Sequence, residues 1–177
     1  MKSHPFGESQ DFIYHTYLVP ILWILLLVTY AGDWPNAVAL EFQWPVVSNS
    51  LSSLYGSRAD PLHKKLRFHA GIDLPAHYGA LVEAAESGVV RFSGWDGHLG
   101  RSVRLEHPGG YQTVYAHLSQ ILVFEGMQII KGQHLGRVGN SGRSTGPHLH
   151  FSILRRGVTL DPLEVLQRPA TTKSPER

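Results

Sequence analysis

The chain contains no cysteine, and this absence excludes several classes of scaffold and site. Without thiols there is no disulfide framework, no thiolate metal site, no cysteine nucleophile and no lipidated cysteine. Charge is also scarce: charged residues make up 17% of 177 residues, and a formal net charge of +2 is too small to indicate nucleic-acid binding. Histidine, in contrast, occurs eleven times, which favours a metal site built from histidine and carboxylate ligands.

Residues 12–32 lack Asp, Glu, Lys and Arg altogether. A helix of this length would extend roughly 30 Å, enough to cross the hydrocarbon core of a bilayer. We interpret residues 1–32 as an uncleaved membrane anchor, with a cleaved signal peptide and a buried core helix as the alternatives. Either membrane interpretation places the remainder of the chain outside the cytoplasm.

Beyond this segment the sequence has no long helical stripe, and short apolar runs alternate with glycine-rich turns. We therefore predict a mostly β fold, a compact antiparallel β-sandwich or partly open barrel with a groove, preceded by one N-terminal hydrophobic helix. The predicted strands are 40–42, 81–85, 88–93, 102–106, 112–117, 136–138 and 148–154, and a short helical turn capped by Asp161 is predicted at 160–166. The predicted organisation is a linker at 33–40, a folded domain at 41–168 and a disordered tail at 169–177.

Two pairs of residues offer ligands for a metal ion. Since side chains alternate along a strand, His148 and His150 are expected on one face, where both rings can bind a metal or one can act on its bound water. His69 and Asp73, four residues apart, add a nitrogen and an oxygen ligand. A catalytic zinc site uses three protein ligands and leaves one position for water, so these four residues suffice. Each of them alone would equally fit a surface loop, a half-exposed strand or a capping role.

His117 lies in a predicted apolar strand, on the face of Tyr115 by strict alternation. From its spacing alone it is interpreted as a core histidine with a backbone hydrogen bond. The glycine-rich segment 136–146 lacks the ending and the following helix of a phosphate-binding loop, so we interpret it as a tight loop before the strand at 148–154. The other histidines have no comparable context and are assigned to the surface or to packing: His4, His15, His63, His77, His98, His107 and His134.

Three separated motifs occur in the order found in one family of enzymes. They are His69-x-x-x-Asp73, Tyr-Ala-His117-Leu-Ser and Ser144-Thr-Gly-Pro-His148-Leu-His150-Phe. Together they resemble the lysostaphin-like (LytM-type) peptidoglycan zinc metalloendopeptidases over roughly residues 42–166. The resemblance implies a metallopeptidase domain in which His69, Asp73 and His150 bind Zn²⁺, while His117 and His148 are the catalytic histidines beside it.

The resemblance further implies that the substrate is the peptide stems of peptidoglycan, cleaved at their cross-links on the periplasmic or extracellular face of the cell envelope. Two positions depart from the family: Leu99-Gly-Arg101 replaces the usual aromatic-Gly-Asn segment, and Ser152 replaces the usual Glu. Neither is a ligand position, but both bear on the polarity of the groove. The alternatives are a non-catalytic activator of a cell-wall amidase, which typically lacks several ligands, and a metal-storage protein, which would cluster its ligands in tracts. A regulatory protein partner is compatible with the sequence but is not identified by it.

Overall fold

The computed structural model describes residues 40–47, 50–59 and 66–166. These residues belong to one compact unit that spans Ala39–Arg177. The predicted membrane or signal segment at 1–32, residues 33–39 of the predicted linker and the predicted tail at 169–177 lie outside the described residues, so the domain boundaries stay predictions. Within the described ranges, no helix combines the length and the apolar character that a membrane crossing requires.

The described part of the chain forms eleven strands, one short α-helix and two single-turn 3-10 helices at Gly97–Leu99 and Pro108–Gly110. The strands and the α-helix are β1 (Gly56–Ala59), β2 (Leu66–His69), β3 (Ile72–Pro75), β4 (Leu81–Glu83), β5 (Gly88–Asp96), β6 (Gly100–His107), β7 (Tyr111–Ile121), β8 (Gln128–Ile129), β9 (His134–Val138), β10 (His148–Arg155), β11 (Val158–Leu160) and α1 (Pro162–Val165). β1 and β2 form a hairpin sheet, and the other nine strands form one sheet whose central path runs β11-β10-β7-β6-β5-β8. All pairings between these strands are antiparallel and the path does not close, which confirms the predicted mostly β, partly open architecture.

Six of the seven predicted strands are confirmed as β4, β5, β6, β7, β9 and β10. β4 ends at Glu83, before its predicted end, and the other five extend beyond their predicted bounds. The predicted strand at 40–42 is wrong, because Phe42 makes only a single bridge, to Leu166. The predicted cap is confirmed: the Asp161 side chain accepts a hydrogen bond of 2.9 Å from Leu163 N at the start of α1. Five strands were not predicted, namely β1, β2, β3, β8 and β11.

The side chains of β10 point alternately into the hydrophobic core and into the groove. Its core-facing side chains are fully buried: Leu149, Phe151 and Ile153. Its other face lines the groove and carries His148, His150, Ser152 and Leu154. The prediction that His148 and His150 share one face is therefore confirmed.

The alternation of β7 is interrupted at His117, whose φ of 61° lies in the left-handed region. Tyr115 and Leu118 are both fully buried in the core although they are three residues apart. The register between β7 and β6 shifts between Arg101 and Val103, which is the mark of a β-bulge. The extra residue turns His117 towards the groove, so the prediction that His117 lies on the face of Tyr115 is wrong.

A buried polar cluster centred on His107 lies away from the groove. His107 Nδ1 is 2.8 Å from the carbonyl oxygen of Ser87, and Nε2 is 2.8 Å from Thr113 Oγ1. Thr113 Oγ1 is in turn 3.0 Å from Tyr115 Oη, which accepts a hydrogen bond of 2.8 Å from Ala85 N. Because a carbonyl can only accept, His107 carries its proton on Nδ1. Burial lowers the pKa of His107 below its ordinary value of 6.5, although its bond to Ser87 opposes the shift.

This cluster predicts that the fold loses stability in mild acid. Between the lowered pKa and 6.5, the unfolded chain takes up a proton at His107 that the folded chain does not, so the free energy of unfolding falls as pH decreases below 6.5. One such group contributes a slope of at most about 1.4 kcal/mol per pH unit. Urea unfolding of the metal-free protein between pH 8 and 5 measures this slope. His107→Gln is expected to be less stable at pH 8 but to show a smaller decrease towards pH 5; equal slopes for both proteins would refute the assignment.

Candidate metal centre and groove

Two short strands, β2 and β3, bring His69 and Asp73 to β10, the strand that carries His150. His69 ends β2, a tight turn leads into β3, and β3 pairs with β10 so that Asp73 lies directly across from His150. Gly71 makes this turn possible, because a Cβ there would lie 2.4 Å from Phe151 O. The requirement is a close approach between two backbones, which only glycine permits.

One side-chain atom from each of these residues converges on a common point. His69 Nε2 lies 3.1 Å from Asp73 Oδ1 and 3.0 Å from His150 Nδ1, and these last two atoms are 2.9 Å apart. Since zinc binds nitrogen and oxygen ligands at about 2.0–2.2 Å, atoms about 3 Å apart can share one ion. His69, Asp73 and His150 form the one group of three candidate ligands found among the described residues. The structure thus brings together the three residues that the sequence proposed as ligands.

The protonation states of these groups fit a divalent cation. His69 Nδ1 is 2.8 Å from the carbonyl oxygen of Leu54, which can only accept, so the neutral ring directs an unprotonated Nε2 inwards. Burial alone would raise the pKa of Asp73, but its contacts with His150 and His69 outweigh burial and hold that pKa well below its usual range. Burial lowers the pKa of His150, which favours a neutral ring. Two neutral imidazoles and one carboxylate are a donor set that zinc accepts.

His117 and His148 lie beside this centre in matching arrangements. His117 Nδ1 donates to the carbonyl oxygen of Ser141 at 2.8 Å, and His148 Nδ1 donates to that of Gly146 at 2.8 Å. In the neutral form each ring therefore keeps an unprotonated Nε2. The two ring centroids are 4.8 Å apart, and His148 Nε2 is 3.7 Å from Asp73 Oδ1. Burial lowers the pKa of His117 to about 4, so this ring is neutral at pH 7.

Ser141 fixes the loop that positions His117. Its hydroxyl donates to Leu118 O at 2.8 Å and accepts from Arg101 N at 2.9 Å, while its carbonyl holds His117. The loop is thereby attached to both β7 and β6 next to the bulge. Arg101 contributes through its backbone, so the departure from the family pattern at this position leaves the contact intact.

The five predicted residues line one groove with a cavity of about 350 Å³. Its other walls include Arg67, Phe68, His98, Arg143 and Leu154. His98, assigned from the sequence to the surface or to packing, is exposed and also faces this groove. Ser152 was noted only as a departure from the family, yet its Oγ lies 3.0 Å from His150 Nε2. Strand alternation was the available signal for Ser152, since it places the hydroxyl two residues after His150 on the same face.

Comparison with known proteins gives consistent results. The family model described as "Peptidase family M23" matches residues 67–162, more than half of the chain. Over 131 residues the chain is 40% identical to the DD-carboxypeptidase/endopeptidase Mpg of Neisseria meningitidis serogroup B, a match covering 73% of this chain and 30% of the relative. It is 36% identical over 118 residues to the peptidoglycan DD-endopeptidase ShyA of Vibrio cholerae, covering 67% of this chain and 26% of the relative.

A solved structure described as a zinc containing peptidase from Vibrio cholerae superposes with a TM-score of 0.65 at 31% identity, covering 73% of this chain and 40% of that one. The chain spans less than a third of the length of the curated relatives above. The family resemblance read from the three sequence motifs is confirmed by these matches. The chain belongs to peptidase family M23.

Proposed function

We propose that this chain is a zinc-dependent endopeptidase that hydrolyses the peptide cross-links of peptidoglycan in cell-wall remodelling. The observation that carries the proposal is the convergence of His69, Asp73 and His150 within 3.1 Å of one another, beside two histidines that are outside the ligand set. Membership of the family and similarity to a relative named for peptidoglycan DD-endopeptidase activity support the substrate class. The cell envelope, where peptidoglycan lies, is the proposed location, and the predicted N-terminal segment would anchor the domain there.

The proposed chemistry assigns a separate task to each group. His69 Nε2, Asp73 Oδ1 and His150 Nδ1 would hold Zn²⁺, which when bound lowers the pKa of water and polarises a carbonyl group. Proton transfer takes place at Nε2 of His117 and His148: the proton that one ring accepts from the attacking water is the proton that is then delivered to the leaving amine. Once a ring has taken up a proton at Nε2, its N–H group can also stabilise negative charge that develops on the carbonyl oxygen.

The orientation of both histidines favours this use. Their Nδ1 protons are held by the carbonyls of Ser141 and Gly146, so proton exchange takes place at Nε2 alone. Burial lowers the pKa of His117 to about 4, so its Nε2 is unprotonated at neutral pH, which is the form that a general base requires. Groups already oriented in this way need little rearrangement as the reaction proceeds.

Metal removal tests the proposed activity. The zinc-loaded full-length chain is expected to release monomeric stems from cross-linked peptidoglycan fragments, and mass analysis of the products identifies the bond cleaved. A chelator is expected to stop the reaction, and added zinc to restore it, because His69, Asp73 and His150 alone supply no nucleophile of the required strength. Zinc-loaded protein that leaves every cross-linked fragment intact would overturn the proposal.

The alternative considered from the sequence, a non-catalytic activator of a cell-wall amidase, is distinguished by the same measurements. Such a protein needs neither a stoichiometric metal nor all three ligands, whereas this chain retains His69, Asp73 and His150 in convergent positions. One equivalent of bound zinc with hydrolysis supports the peptidase. Stimulation of an amidase by a chain that holds no metal would favour the activator.

A further inference from the structure

The hydroxyl group of Ser152 contacts the ring of His150 on the side away from the converging ligand atoms. Ser152 Oγ is 3.0 Å from His150 Nε2, while His150 Nδ1 faces Asp73 Oδ1 at 2.9 Å. Ser152 is 5% exposed and His150 is 7% exposed, so bulk water scarcely competes for these contacts. Each nitrogen of this ring therefore has a defined partner within the protein.

The backbone holds this hydroxyl in place. Ser152 follows His150 by two residues on β10 and pairs across to Val114 on β7, so its side chain points to the same face as the ring. The turn between β2 and β3 closes over both groups, since a Cβ on Gly71 would lie 2.5 Å from Ser152 Oγ and 3.0 Å from His150 Cε1. The hydroxyl and the imidazole are consequently held side by side with little freedom to separate.

A hydroxyl can either donate or accept a hydrogen bond, whereas a carbonyl can only accept. When His150 carries its proton on Nδ1 and donates it to Asp73, the Ser152 hydroxyl donates to Nε2. When Nδ1 is unprotonated and serves as a ligand, the proton resides on Nε2 and the hydroxyl accepts it. The ring is neutral in both forms, so the exchange moves one proton between its nitrogens without changing its charge. His69 differs, because the carbonyl of Leu54 allows it one neutral tautomer.

We propose that Ser152 is a positioning residue that pairs with His150 Nε2 in both tautomers and thereby sets the metal affinity of the site. The inference rests on the proposed metal site. Without the hydroxyl, the ligand form of His150 would bury an unpaired N–H group, which is unfavourable. Loss of such an outer partner typically weakens metal binding by about 10- to 100-fold, and we expect a decrease in this range for Ser152→Ala.

Ser102 provides a matched control on the same sheet. It lies on β6, is 1% exposed, and its Oγ has no hydrogen-bond partner among the described residues. Ser102→Ala thus removes a buried hydroxyl of the same size without altering a histidine contact. Zinc affinity of the full-length chain, measured by competition with a chelator, is expected to fall for Ser152→Ala and to stay unchanged for Ser102→Ala. Ser152→Thr, which retains the hydroxyl, is expected to recover most of the affinity.

Nitrogen chemical shifts of the His150 ring give a second readout that is independent of hydrolysis. In the metal-free native chain Nδ1 is expected to be protonated, because Asp73 accepts its proton, and Nε2 to become protonated when zinc binds. Ser152→Ala is expected to keep the Nδ1 proton in the metal-free form and to need a higher zinc concentration before the proton moves to Nε2. If Ser152→Ala does not fold, the nitrogen shifts of the native chain carry the test, since an Nε2 that stays unprotonated in the zinc-bound chain would overturn the inference. Equal zinc affinities for the variants at 152 and at 102 would overturn this inference and leave the metal site standing. Absence of stoichiometric zinc in the native chain would overturn the proposed metal site itself.

Discussion

The Asp73→Ala variant is expected to lose zinc at concentrations that saturate the native chain, and to lose hydrolysis of cross-linked stems with it. Asp73 Oδ1 lies 2.9 Å from His150 Nδ1 and 3.1 Å from His69 Nε2, and it is the one negative group of the three. Its removal leaves two neutral imidazoles, fewer than the three protein ligands of a catalytic zinc site. The loss of affinity is expected to exceed the roughly 10- to 100-fold typical of an outer partner. Metal content after dialysis and chelator competition measure it.

A surface carboxylate supplies the control for this experiment. Asp96 on β5 pairs with Arg104 at 3.4 Å, and both side chains are about 40% exposed. An exposed pair of this kind contributes at most about 1 kcal/mol, so Asp96→Ala should keep native zinc content, turnover and nearly native stability. His69→Ala is expected to behave as Asp73→Ala does. Native zinc affinity in either ligand variant would show that the residue concerned is not a ligand.

The part of the fold that the sequence predicts well is the part in which alternation is long and regular. β10 spans eight residues, and polar and apolar residues alternate from His148 to Ile153. The sequence therefore predicts both the strand and the shared face of His148 and His150. β1, β2 and β3 have four residues each, so the alternation in β2 and β3 is too short to distinguish a strand from a loop. β3 is defined by its pairing with β10, whose residues lie more than seventy positions later, and local sequence carries no signal for that contact.

The position of His117 shows a second limit. Strict alternation assigns His117 to the face of Tyr115, because a bulge adds a residue without leaving a compositional mark when that residue is not glycine. The structure instead gives His117 a φ of 61° and directs its ring into the groove. The family resemblance assigned the catalytic role that spacing alone could not.

The candidate ligands were predictable from the sequence, but the hydrogen bonds that orient them were not. The spacing of histidine and aspartate offers four candidate ligands, and the family resemblance selects His69, Asp73 and His150 among them. The groups that set the tautomers of His69, His117 and His148 are the backbone carbonyls of Leu54, Ser141 and Gly146. Every residue has a carbonyl, so only the folded path of the chain determines which one a ring nitrogen meets. Orientation of the site is thus a property of the loops and strand ends around it.

The His117→Gly variant is expected to lose turnover by about 10²- to 10⁴-fold, the usual contribution of a general acid–base group, while keeping native zinc affinity. His117 Nδ1 is directed to Ser141 O, and its ring lies outside the convergent set of ligand atoms. A residue other than glycine at φ 61° is strained by about 1–2 kcal/mol. Glycine relieves this strain and alanine does not, but glycine also makes the unfolded chain more flexible, which offsets part of the gain. We therefore expect the free energy of unfolding of His117→Gly to exceed that of His117→Ala by a net value of about 1 kcal/mol. Urea unfolding of the two metal-free variants measures the difference.

Arg156 separates strain from catalysis in this prediction. Among the described residues other than glycine, Arg156 and His117 are the two with a positive φ, and that of Arg156 is 50°. Arg156 lies in the exposed turn between β10 and β11, away from the groove. Arg156→Gly is expected to relieve similar strain, with turnover and zinc affinity unchanged. Loss of zinc together with turnover in both His117 variants would make His117 a ligand and contradict its assignment. A His117→Ala variant as stable as His117→Gly would mean that the bulge relaxes once the ring is removed, and that the ring itself, through its bond to Ser141, holds the backbone in the left-handed conformation.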